Sequence, residues 1–120
     1  MHELSLCLAL LDQARALAEQ HGAHGITRLL VRVGPLAGVE PALLASAWPL
    51  AAAETLAADA LLDIETAPVV VHCRDCDRAS TVAPNRLLCL HCGSHRTRLQ
   101  SGDELLLVSL ELRVPDASPG

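Results

Sequence analysis

Two Cys-x-x-C pairs, Cys73-Arg74-Asp75-Cys76 and Cys89-Leu90-His91-Cys92, stand twelve residues apart and put four soft thiolates within reach of one tetrahedral ion. Four thiolates fill the shell of a zinc ion and leave no open position for water or substrate, so this spacing predicts a structural zinc site and not a hydrolytic one. Tetrahedral sulfur alone also admits iron, but nothing else in the chain reads as a cluster-binding run. A thioredoxin-like redox pair needs only one such motif, and two of them in a stretch poor in large apolar residues point to metal. Gly93, directly after Cys92, suits the positive φ that turns backbone N–H groups toward sulfur, and Asp77 holds the equivalent place after Cys76.

The remaining sequence must supply a core almost without aromatic residues, since Trp48 is the only one in 120 residues. Leu4, Cys7, Leu8, Leu11, Ala14 and Ala18 recur at helical spacing and predict a first helix over about Glu3 to Gln20, with Gly22 and Gly25 bracketing its stop. Leu6, Leu10 and Leu17 lie beside that stripe and widen the apolar arc. A second packed helix accounts for the width, and a partner-binding surface is the rival account. Ile26 to Val33 alternates Leu29, Val31 and Val33 against Arg28 and Arg32, the period of a strand with one wet face. Pro41 suits the first turn of a second helix carrying Leu43, Leu44, Ala47 and Trp48, which is expected to kink or end at Pro49. Leu62 and Ile64 mark a second strand. Glu104 to Val114 marks a third, with Leu106, Val108, Leu110 and Leu112 on one face.

The cysteines interrupt this pattern between the second and third strands. The expectation is therefore an α+β fold, a small three-stranded sheet with two helices, carrying an inserted zinc-ribbon-like module. Residues 1–70, completed by 101–114, would form the main domain, residues 71–100 the module and 115–120 a flexible tail.

Charge and composition exclude several functions. All nine basic residues are Arg, against fourteen acids, and the net charge of -5 disfavours a nucleic-acid or anionic-membrane surface. Five of those Arg lie in the cysteine module, but it holds no Phe or Tyr to stack on bases. Leu4 to Leu11 resembles the apolar core of a signal peptide, yet Glu3 is the only permanently charged side chain ahead of it, and the run is too short to span a bilayer. Cys7 is the one cysteine left over, which fits a reducing, cytoplasmic compartment. No nucleophile-base set, paired catalytic carboxylates, P-loop or dinucleotide fingerprint is visible, so no catalytic residue is assigned.

Met1-His2-Glu3 offers an α-amine, backbone amides and an imidazole in three consecutive residues, and planar nitrogen donors of that kind suit Ni(II) or Cu(II) better than zinc. Taken alone, a His in this place is more often just an exposed residue ahead of a helix. His72, His91 and His95 flank the thiolates, where a His can stand in for a cysteine ligand or approach nickel, but solvated side chains are the expected account of each. His21 and His24 fall at a helix C-terminus, where His is favoured.

Met1-His2-Glu3-Leu4-Ser5-Leu6, Val33-Gly34, Gly38-Val39-Glu40-Pro41, Thr55, Ala60 to Glu65, both Cys-x-x-C pairs and Gly102-Asp103-Glu104-Leu105 together resemble the HypA/HybF family of hydrogenase nickel-incorporation proteins. The resemblance runs from residue 1 to about 113. It implies a metallochaperone carrying nickel on an N-terminal site at Met1, His2 and Glu3, with structural zinc on Cys73, Cys76, Cys89 and Cys92. It also implies a HypB-like GTPase as partner, the [NiFe]-hydrogenase large subunit as client and no catalysis by the chain itself; a homodimer is left open. The alternative is a zinc-ribbon adaptor that binds protein through its first helix and transfers no metal. Trp48 in place of the usual Phe, Pro49, and Leu90 in place of the Pro common after the third cysteine depart from the family pattern.

Overall fold

The computed structural model describes residues 2–115 and contains two helices and six strands in the order α1 (His2–Gln20), β1 (Gly25–Val33), α2 (Pro41–Ala52), β2 (Leu61–Thr66), β3 (Val69–Cys73), β4 (Ala79–Val82), β5 (Thr97–Ser101) and β6 (Leu105–Arg113). The strands form two three-stranded sheets, ordered β2-β1-β6 and β4-β3-β5. The chain divides into two compact units. One comprises Met1–Val31, Glu40–Ile64 and Leu107–Gly120, the other Arg32–Val39 and Glu65–Leu106. No helix among the described residues is long and apolar enough to cross a membrane.

In the first unit α1 buries Cys7, Leu10, Leu11, Ala14 and Ala18. Its end follows from Gly22, whose φ of 64° lets Ala23 N–H return to the Ala18 carbonyl at 2.9 Å. Leu10 is only 2 % exposed, which corrects the idea of a Leu6, Leu10 and Leu17 partner face: Leu10 is core, and Leu17 and Leu8 remain at the surface. The partner that widens the apolar arc is α2, which packs on α1. The Cys7 thiol, fully buried, donates to the Leu44 carbonyl of α2 at 3.4 Å.

Helix α2 starts on Pro41, where a missing N–H costs nothing. It does not end at Pro49 but runs on to Ala52. An interior proline costs a helix about 3 kcal/mol. Trp48, Ala51 and Ala52 repeat the helical spacing from Leu44 and are all buried, so packing of that stripe holds the last turn. Beyond it, Thr55 Oγ1 donates to the Ala52 carbonyl at 2.6 Å and closes the exit.

β1 buries Leu29, Val31 and Val33, as its alternation predicts. Arg28 pairs with Asp63 of β2, and Arg32 Nε lies 2.9 Å from Glu65 Oε1. Half-exposed pairs of this kind contribute little to stability. β6 departs from its expected single apolar face. Leu105 and Leu107 are more covered than Leu106 and Val108, but after two consecutive exposed residues, Val108 and Ser109, the covered positions become Leu110 and Leu112. The covered side therefore changes along the strand: Leu106 and Val108 are exposed, whereas Leu110 and Leu112, at alternate positions on the same strand, are partly covered.

The second unit contains the sheet β4-β3-β5, antiparallel throughout, with Val71 opposite Ser80 on one side and Leu99 on the other. Val69 and Val71 provide most of its apolar burial. Gly34 and Gly102 meet back to back: a Cβ on Gly34 would lie 2.1 Å from the Gly102 carbonyl carbon and oxygen. Gly34 N–H to the Glu104 carbonyl (2.8 Å) and Leu36 N–H to the Gly102 carbonyl (2.7 Å) hold the approach.

Candidate metal centre

Each Cys-x-x-C pair folds into the same small turn. In the first, Cys73 N–H donates to the Arg78 carbonyl (2.9 Å), Asp77 N–H to the Cys73 carbonyl (3.1 Å) and Asp75 N–H to Cys73 Sγ (3.3 Å). In the second, Cys89 N–H donates to the Ser94 carbonyl (3.0 Å), Gly93 N–H to the Cys89 carbonyl (2.9 Å) and His91 N–H to Cys89 Sγ (3.3 Å). The turn demands a left-handed residue after the second cysteine, and Gly93 (φ 74°) and Asp77 (φ 59°) supply it as expected. Asp is less at home there than Gly, and its carboxylate gains a partner in exchange, with His72 Nε2 at 2.8 Å from Asp77 Oδ1. A second set of side chains joins the two turns: Ser94 Oγ donates to the Asp75 carboxylate, Arg96 approaches the same carboxylate at 3.3 Å, and Arg96 N–H donates to Ser94 Oγ at 3.0 Å.

These turns bring all four sulfurs within 4.8 Å of one another, with Cys73–Cys92 at 3.6 Å and Cys76–Cys89 at 3.5 Å. A tetrahedron of sulfurs about 2.3 Å from a zinc ion has edges of about 3.8 Å, so the cluster has the dimensions of a four-thiolate site. None of the cysteines is in a disulfide. Cys73 and Cys89 are buried, Cys76 is half-buried and Cys92 is exposed. In the metal-free cluster the backbone N–H of Cys92, ahead of that of His91, holds Cys89 down at about 6, whereas burial first and then the neighbouring thiols push Cys76 up to about 12. The cluster thus shares out negative charge that a divalent cation neutralises.

Among the described residues the four cysteines are the only group of three or more metal-ligating side chains gathered around a common point. His2 and Glu3 occupy the first turn of α1, His2 exposed and Glu3 half-exposed, and join no such group; Met1 lies outside the described residues. An apolar groove lined by Leu4, Leu43, Ala47 and Leu50 opens beside Glu3. His91 and His95 are exposed, with His91 Nε2 3.3 Å from the Ala79 carbonyl. His72 differs from the solvated side chain expected, being 25 % exposed and committed to Asp77. The sequence pattern does not disclose the ties through Ser94 and Asp75. Asp75 inside the first motif and Ser94 after Gly93 occupy informative places, but only the fold shows that they meet.

The comparisons with known proteins agree with this geometry. The family model described as "Hydrogenase/urease nickel incorporation, metallochaperone, hypA" matches residues 1–112. The hydrogenase maturation factor HypA of Nitrosospira multiformis is 46% identical over 112 residues, covering 93% of this chain and 97% of that protein. The hydrogenase maturation factor HybF of Morganella morganii is 40% identical over 111 residues, covering 92% and 98%. The solution structure of the Ni metallochaperone HypA from Helicobacter pylori superposes with a TM-score of 0.73 at 30% identity, covering 94% of this chain and 98% of that one. With two helices, small sheets and a four-cysteine cluster matched along nearly its whole length, the chain belongs to the HypA family of hydrogenase nickel-incorporation metallochaperones.

Proposed function

We propose that this chain binds Ni(II) at its N-terminus through Met1, His2 and Glu3 and delivers it, with a HypB-like GTPase, to the [NiFe]-hydrogenase large subunit in the cytoplasm. Cys73, Cys76, Cys89 and Cys92 hold a structural zinc ion in an inserted module of residues 71–100. Residues 1–70 and 101–114 form the nickel-binding domain. The chain itself catalyses no reaction.

The observation that carries this reading is the separation of two kinds of donor. All four clustered thiols face one another, while His2 and Glu3, in the first turn of α1, belong to no such group, with His2 open to solvent. Zinc on four thiolates contributes to folding and exchanges slowly, whereas nitrogen donors on an exposed chain end can load and unload. Metal transfer requires the second kind. The name of the solved Helicobacter relative, a Ni metallochaperone, supports the same assignment.

Nickel titration by calorimetry, with zinc measured in parallel, tests it. A Gly-Ser extension ahead of Met1 converts the α-amine to an amide, and His2→Ala removes the imidazole; each is expected to abolish or greatly weaken nickel binding with zinc content unchanged. If both variants bind nickel like the parent, the N-terminal site is wrong and the adaptor reading, which the exposed Leu43 and Leu50 beside α1 favour, takes its place.

A further inference from the structure

Ser80 is the only buried residue of polar or charged type among the described residues, at 5 % exposure. It sits on β4 opposite Val71, in the sheet and outside both cysteine turns. Its oxygen accepts the Leu90 N–H at 3.1 Å, and its hydroxyl donates toward Cys89 Sγ at 3.9 Å. Both capacities of the hydroxyl are therefore used on two consecutive residues of the second turn.

The near-identity of the two turns makes this contact informative. Cys73 Sγ receives backbone N–H groups from Asp75 and Cys76, and Cys89 Sγ receives one from His91. Only Cys89 has a side-chain hydroxyl in addition, and among the described residues none is bonded to Cys73. The first turn also follows directly from β3, which ends on Cys73, whereas Cys89 lies beyond the Arg86–Leu88 loop and begins no strand. A turn carried by a loop needs another anchor to the sheet, and Ser80 provides one.

We propose that Ser80 is a positioning residue of the metal centre: it pins the second Cys-x-x-C turn to β4 through Leu90 and holds the Cys89 sulfur in place for the ion. This rests on reading the four-cysteine cluster as a zinc site. A hydrogen bond to a metal-bound thiolate withdraws charge from sulfur and restrains the ligand arm, so its loss speeds opening of the shell without changing the ligands.

The test compares zinc release from the metal-loaded full chain to excess chromophoric chelator. Ser80→Ala is expected to release zinc about tenfold faster than the parent, the low end of what loss of such an outer contact costs. Ser80→Thr keeps the hydroxyl and should stay near the parent. Ser80→Val, which matches Thr in shape but has no hydroxyl, should behave like Ser80→Ala, and the Leu90 amide should exchange faster in both. Release from Ser80→Ala at the parental rate, or equal rates for Thr and Val, overturns the proposal. A parent that carries no thiolate-bound metal overturns the zinc reading itself and this inference with it. Loss of nickel binding alone leaves the inference standing.

Discussion

Replacing Gly34 by Ala should be among the most damaging single-methyl additions available to this chain. The new Cβ would lie 2.1 Å from both the carbonyl carbon and oxygen of Gly102 and 2.6 Å from the Asp103 nitrogen, and all three are backbone atoms that no rotamer change can move. Ordinary contact begins at 3.4 Å, so the two segments must separate by more than 1 Å. The hydrogen bonds that clamp them, Gly34 to Glu104 and Leu36 to Gly102, are 2.8 and 2.7 Å long and would not survive that displacement. Two lost bonds cost about 1 kcal/mol each, and overpacking in a close-fitted site adds about 1–3 kcal/mol. Gly102 offers no relief, because its φ of 120° and its own approach to Val69 already restrict it. We therefore expect Gly34→Ala to lose about 3–5 kcal/mol in urea unfolding of the metal-loaded protein. A loss below about 0.5 kcal/mol, the scale of an ordinary surface change, would refute the reasoning.

Two further outcomes are expected. Leu10→Glu puts a carboxylate where the side chain is 2 % exposed and should cost about 3 kcal/mol or more, whereas Leu8→Glu, at a position 45 % exposed, should shift the thermal midpoint little; equal shifts would show that the inner face of α1 has been misassigned. Zinc uptake at neutral pH should release protons, because Cys76, pushed up to about 12 chiefly by burial, must lose its proton to bind, while Cys89, held down at about 6 chiefly by the Cys92 N–H, has already lost its own. Metal binds the deprotonated form of each. Affinity should accordingly rise with pH between those two values and fall further below about pH 6, and calorimetry in buffers of different ionisation enthalpy measures the protons.

What could be read from sequence was what has a period or a fixed spacing. Cys7, Leu11, Ala14 and Ala18 repeat at helical intervals, Leu29, Val31 and Val33 alternate, and the cysteine spacing alone predicted a cluster whose sulfurs lie within 4.8 Å. The sheet β4-β3-β5 left a much weaker trace. β4 is Ala-Ser-Thr-Val and β5 is Thr-Arg-Leu-Gln-Ser, segments with too few apolar side chains to display a buried face. The change of covered side at Val108 and Ser109 leaves no mark, since leucines stand on both sides of it. Continuation of α2 past Pro49 depends on what Trp48 and Ala52 pack against, which local propensity does not contain. Contacts across long separations, Gly34 with Gly102 or Ser80 with Leu90, are made by the fold and are silent in composition.

Cys7 has a consequence for how this protein can be handled. Its sulfur is sealed between α1 and α2, and burial, with the nearby Glu3 charge adding to it, pushes the thiol's pKa up. It is therefore kept from acting as a fifth thiolate that could scavenge a thiophilic ion from the other four or oxidise with one of them. Alkylation followed by intact-mass measurement then separates the two regions: metal-filled protein takes up no adduct, opening of the cysteine turns exposes up to four thiols, and a fifth adduct reports that the helices have come apart.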